Sequence, residues 1–146
     1  MMQLGGWRYL LVLVFFGLVL YSQGARATDE MRSGCAGGIT GGGAGVALSR
    51  DGRVWTWQRG HAHSELKRGP LIGTDADAAL RIFERAKLGG FKSIQYRLSS
   101  NRTCWVELTD DGGTHGVYWS DPSGAPALAV GLFDALQKLQ RDLSGN

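Results

Sequence analysis

Hydrophobic and polar positions alternate with period two over several short stretches of this chain, and recur with period 3.6 over two longer ones. In GVALS, Val46 and Leu48 share a face; in RVWTWQ, Trp55 and Trp57 point one way and Val54 and Thr56 the other. Asp51-Gly52 between these runs is a strong hairpin signal. FKSIQYRLSS places Ile94, Tyr96 and Leu98 on one face. TCWVELTD predicts a strand with Cys104, Val106 and Leu108 inward and Trp105 and Glu107 opposite. DDGG at 110–113 predicts another hairpin, into THGVYWSD.

The helical pattern comes twice. Ala76, Ala79, Leu80, Phe83 and Ala86 follow Thr74, a good N-cap, with Asp75 and Asp77 suited to the positive end and Gly89-Gly90 as the stop. Pro126 opens a second helix at its first position, with Leu128, Leu132, Phe133, Leu136, Leu139 and Leu143 as its apolar stripe. GHAHSELKRGPLIG at 60–73, broken by Gly69 and Pro70, predicts a long connection, and TDEMRS at 28–33 predicts a flexible tail. The expected fold is one α+β domain over 34–146, an antiparallel sheet of about five to six strands with both amphipathic helices packed on one face.

The N-terminus adds a compartment. Arg8 precedes the apolar run Leu10–Tyr21, and Ala25 and Ala27 flank Arg26, which is the pattern of a secretory signal peptide over 1–27 cut after Ala27. The protein is then expected to be secreted, periplasmic or extracellular. The alternative is an uncleaved N-terminal anchor, although the run is shorter than the roughly 20 residues a bilayer needs. Loss of the leader removes Arg8 and Arg26 and leaves 14 basic against 13 acidic residues, with Lys67-Arg68 the one adjacent basic pair. That balance lacks the concentrated basic face that nucleic-acid binding requires. Export exposes Cys35 and Cys104 to oxidising conditions, so a disulfide between them is the first expectation and two buried thiols the second.

GCAGGITGGGAG at 34–45 has seven glycines in twelve positions. It fits neither a dinucleotide fingerprint nor a P-loop, because no Lys follows and the next element is a strand. A glycine-rich strand remains, whose bare backbone at Gly37, Gly38, Gly41, Gly42 and Gly43 either packs against a neighbour or meets a partner. HAHSE sets His61, His63 and Glu65 at alternate positions, a trio able to bind zinc. Arg59, Lys67 and Arg68 repel a cation there and no further ligand is evident, so a solvated loop with no metal or cofactor is expected. His115, beside Asp110 and Asp111, is expected to decorate a hairpin mouth. Hydrolytic motifs are absent: the chain has no HExxH and no G-x-S-x-G.

Of the four tryptophans beyond the leader, Trp119 is expected in the core. Trp55, Trp57 and Trp105 alternate onto the other sheet face beside Arg53, Arg59 and Glu107, where they serve either sheet packing or a protein or glycan partner.

The order of SGCAGGITGGG, a hairpin, the helix TDADAALRIFERA, the strands FKSIQYRLSS and TCWVELTD and the helix PALAVGLFDALQKLQ resembles emfourin-type small bacterial proteins. In these a Gly-Gly strand leads an α+β domain, and some members are proteinaceous inhibitors of thermolysin-like metallopeptidases. The resemblance implies a non-catalytic protein-binding domain that inhibits a metallopeptidase; with the leader pattern at 1–27, the expectation is a secreted domain whose partner is a secreted metallopeptidase. The alternative is a cell-envelope module that binds glycan or peptide through Trp55, Trp57 and Trp105; a third class is a zinc enzyme using His61 and His63.

Overall fold

The computed structural model describes residues 29–39, 41–61, 64–95 and 101–145. The leader at 1–27, His63 and the predicted strand residues Tyr96 and Leu98 lie outside that set. Seven strands form one sheet: β1 (Glu30–Gly37), β2 (Gly43–Ser49), β3 (Arg53–Arg59), β4 (Lys67–Thr74), β5 (Ile94–Gln95), β6 (Arg102–Asp110) and β7 (Gly113–Trp119). Their spatial order is β4-β3-β2-β1-β6-β7-β5, antiparallel throughout except for the short parallel pairing of β5 with β7. Among the described residues two α-helices, α1 (Ala76–Leu88) and α2 (Ala127–Ser144), join the sheet in an α+β architecture.

Both helices bury their stripes against the same sheet face. Met31, Val46, Leu48, Val54, Val106, Val117 and Trp119 from the strands meet Ala79, Ile82, Phe83 and Ala86 of α1 and Leu132, Leu136 and Leu139 of α2 in one core. Leu80, assigned by spacing to the inner stripe of α1, is exposed, and Ile82 takes that role. The N-cap of α1 is Asp75, one residue after Thr74, and its carboxylate accepts the Ala78 N–H at 2.8 Å. The Asp51-Gly52 and Asp110–Gly113 turns join β2 to β3 and β6 to β7, and Gly52 takes φ +93°. Among the described residues no helix is long and apolar enough to cross a membrane.

Three further expectations need correction. The sheet has seven strands where five to six were expected. The extra full strand is β4, inside the connection expected at 60–73. Gly69 and Pro70 lie on an edge strand, where a missing N–H costs no ladder bond to a further neighbour. The tail expected at 28–33 is strand from Glu30 onward. Met31 and Ser33 are fully buried, and Gln137 of α2 donates to the Ser33 hydroxyl at 3.4 Å. Charged Glu30 and Arg32 alternate with these two, which gives a central strand a polar composition.

Cys35 and Cys104 face one another across β1 and β6, with Cα atoms 4.0 Å apart, and are bonded. The bridge closes 69 residues of chain and pins the glycine-rich strand to the strand that carries Trp105. On the chain-entropy account a loop of this size contributes about 4 kcal/mol. The Cys35→Ser/Cys104→Ser variant is therefore expected to lose about that much stability in urea unfolding. Wild-type protein alkylated without reductant is expected to carry no label, and two labels would contradict the bond.

Candidate functional site

The sheet face away from the helices is organised around a single row. Cross-strand register aligns Arg68 of β4, Trp57 of β3, Gly45 of β2, Gly34 of β1, Trp105 of β6 and Tyr118 of β7. Trp57 and Trp105 start three strand spacings apart, about 14 Å. Their rings nevertheless stack with centroids 5.3 Å apart and an interplanar angle of 26°.

The two glycines between them make this contact. A Cβ on Gly34 would collide with the edge of the Trp57 ring and stand 2.6 Å from the Ala44 carbonyl oxygen. One on Gly45 would stand 2.6 Å from Cζ2 and Nε1 of the same ring. Trp57 thus lies flat over both strands, and its indole N–H donates to the Ser33 carbonyl at 3.0 Å. Trp105 continues the layer to Tyr118 at 6.4 Å. Tyr118 in turn folds over Gly116, where a Cβ would be 2.7 Å from the ring. The result is a second, thin apolar layer in which Trp57 is 3 % and Trp105 7 % exposed, with Ala36 and Ala47 buried beside them.

Charged groups border this layer. Arg32 lies 3.5 Å from Glu30 and 3.6 Å from Glu107, and Arg68 pairs with Glu30 at 2.5 Å. The Tyr118 hydroxyl donates to Glu107 Oε1 at 2.5 Å. Burial of the phenol, and then the Glu107 carboxylate beside it, hold the Tyr118 pKa well above the ordinary range. Trp55 is half-exposed, but the Arg53 and Arg68 guanidinium groups stand over its ring at 5.2 and 4.3 Å.

At one end of the sheet Gly38, Ile39, Gly41 and Gly42 lie between β1 and β2. Gly38 and Gly41 take φ +78° and +67°, conformations that glycine adopts without a Cβ penalty. Gly37 N–H donates to the Gly42 carbonyl at 3.0 Å, Gly38 N–H to the Asn101 carbonyl at 2.6 Å, and Gly41 N–H to the Gly38 carbonyl at 3.2 Å. Between these anchored glycines Ile39 stands fully in water. Gly43 belongs to β2, where a Cβ would press on Cys35 and Ala36 of β1, so its bareness serves strand packing.

The sequence-predicted residues therefore separate into two places. Trp55, Trp57 and Trp105 do share the outer face, but Trp57 and Trp105 are buried there and offer no open platform. Gly37, Gly38, Gly41 and Gly42 gather at the loop end. Among the described residues no three His, Cys, Asp or Glu side chains are placed to hold a metal, and His61 lies in a turn whose backbone is tied to the Ser64 hydroxyl. His115, with Asp110 and Asp111, lines a mixed cavity of about 550 Å³ beneath the C-terminal end of α1. Pattern reasoning missed Ile39 and Tyr118. A lone Ile between glycine pairs was the available signal for the first; the second needed the register of β6 and β7.

No family model, curated protein or solved structure matches the chain. The fold and this face define a disulfide-bonded α+β domain with one helix-covered sheet face, one aromatic face and a projecting glycine loop.

Gly34→Ala is expected to cost about 1–3 kcal/mol by overpacking. In a Trp57→Ala background the added cost of Gly34→Ala should fall, and urea unfolding of the four proteins checks the coupling. Tyr118 generates a pH prediction. An unfolded tyrosine titrates near 10.0, and the folded value is higher, so the neutral phenol contributes fully below pH 10.0 and its contribution is lost as pH rises through the folded value. Tyr118→Phe should flatten the alkaline limb of the stability curve, measured as the urea midpoint against pH; an unchanged limb contradicts the assignment.

Proposed function

We propose that this chain is an exported, non-catalytic protein-binding domain, and that it inhibits a secreted peptidase by inserting the loop over 38–42 into the enzyme's cleft. The observation that carries this reading is Ile39, fully exposed at a loop whose flanking glycines are hydrogen-bonded in place. Burial of one such side chain in a partner is worth about 1.5–3 kcal/mol, and glycines already held by hydrogen bonds lose less entropy on binding. Neighbouring glycines carry no side chains, so an extended strand of the target can approach the backbone at Ile39 closely. The Cys35–Cys104 bond fixes β1, the first arm of the same hairpin, to β6.

Export is supported by the leader pattern at 1–27 together with the disulfide. The likeness in element order to emfourin-type proteins favours a metallopeptidase as the partner. The glycan-binding alternative has less support, since a saccharide stacks on an open ring and only Trp55 is half-exposed, beneath two guanidinium groups.

The test is inhibition of a panel of secreted peptidases, thermolysin-like metallopeptidases among them, by wild-type protein and by Ile39→Asp. Wild type is expected to inhibit at least one at micromolar concentration, and Ile39→Asp to raise the inhibition constant about tenfold or more. Equal potency of the two proteins would remove the loop from the mechanism, and no inhibition across the panel would remove the function.

A further inference from the structure

Beside the tryptophan row runs a second one: Arg59 of β3, Gly43 of β2, Ala36 of β1 and Thr103 of β6. Its two middle members are a glycine and an alanine, so the outer face dips between Arg59 and Thr103. The depression, about 430 Å³, is walled by Leu66 and Trp105 and reached by Glu107. The Arg59 guanidinium stands 5.8 Å from the Trp105 ring centroid.

Arg59 is out of balance in this setting. Its Nε–H is shielded from water and has no hydrogen-bond acceptor; among the described residues only the Ser120 hydroxyl shares that condition. An unmet buried donor costs about 1–3 kcal/mol, and more when the group is charged. No carboxylate of the described residues pairs with Arg59, whereas Arg32, Arg50, Arg53 and Arg68 each have one. Glu107 is committed elsewhere, with Tyr118 on Oε1 and Arg32 beside Oε2. The depression therefore carries one uncompensated positive charge.

We propose that this depression binds a monocarboxylate bearing a short apolar group, with Arg59 as its anchor. A turn of the Arg59 side chain about its own torsions presents the Nε–H and one Nη–H edge to the floor. There a planar carboxylate accepts both in the two-bond geometry that guanidinium favours. The buried, unpaired Nε–H becomes half of a charge-assisted pair. Thr103 supplies a hydroxyl at the opposite rim, and Ala36, Leu66 and the Trp105 edge receive the apolar group. One cation beside an already neutralised Glu107 matches a single negative charge better than the double charge of a phosphate. Gly37 and Gly41 also line the depression, beside Ile39, but the carboxylate contacts do not use Ile39 and do not depend on the action assigned to it.

Two sources share this chemistry, a free short-chain acid and the C-terminus of a polypeptide. They are distinguished by titrating the full-length exported protein with butyrate, with acetyl-Gly-Gly-Val and with the amide of that peptide. The readout is the Arg59 Nε–H resonance, assigned by its loss in Arg59→Lys. Saturable shifts with butyrate and the peptide acid alike identify a small-acid site, and shifts with the peptide acid alone identify a chain terminus. The amide should shift nothing in either case. Arg59→Gln, with its fold verified by circular dichroism, should weaken binding about tenfold or more, read from the Trp105 fluorescence change. Absence of a saturable shift, equal binding of the amide, unchanged affinity in Arg59→Gln, or tighter binding of inorganic phosphate would each overturn the proposal.

Discussion

Two indoles that begin three strands apart can touch only where nothing stands between them, and Gly34 and Gly45 leave that space empty. The stack of Trp57 on Trp105 closes the outer face of a sheet whose two described helices both lie on the other side. Each ring removes on the order of 150–250 Å² from water, a gross gain of about 4–6 kcal/mol before entropy is charged against it. A methyl group on either glycine would lift the Trp57 ring off the strands and cost it the bond to the Ser33 carbonyl. The face thus gains an apolar layer one ring thick, bordered by Arg32, Glu30, Arg68 and Glu107, whose mutual pairing keeps those charges satisfied beside it.

That layer also determines what the exposed groups can do. Because the rings lie along the sheet, the space left at the loop end is shallow and is bounded by a guanidinium and a hydroxyl. Because β1 is bonded to β6 through Cys35 and Cys104, and Gly38 is held to Asn101, the hairpin tip is carried on a braced base. A projecting Ile39 on a rigid support is suited to recognition, since ordering costs are met on folding and not on binding.

Legibility in the sequence followed locality. The Asp51-Gly52 and Asp110–Gly113 turns, the alternation of Val46, Leu48, Val54, Cys104 and Val106, and both helices were readable, because each rests on residues within a few positions of one another. The N-cap was displaced by one residue, since Thr74 and Asp75 are both competent and only the backbone chooses between them. Strand β4 was hidden by Gly69 and Pro70, which mark a break in a central strand but are tolerated at an edge. The first half of β1 was hidden because Glu30 and Arg32 gave it the look of a tail, while their pairing partners, Arg68 and Glu107, lie far along the chain. Gly34 and Gly45 were legible as strand glycines; that an indole occupies them was not, since it depends on the register of three strands.

The chain alone determined the α+β class, the hairpins at Asp51-Gly52 and Asp110–Gly113, the helix stripes apart from Leu80, an alternation that admits three tryptophans to the face away from the core, and a pair of cysteines able to bond. These follow from periodicity and turn chemistry, which act over a few residues. Tertiary structure decided the rest: seven strands, a central β1, buried Trp57 and Trp105, an exposed Ile39 and an Arg59 that no carboxylate of the described residues pairs. Each of these depends on which strand lies beside which, and strand order is a property of the whole sheet that no local pattern contains.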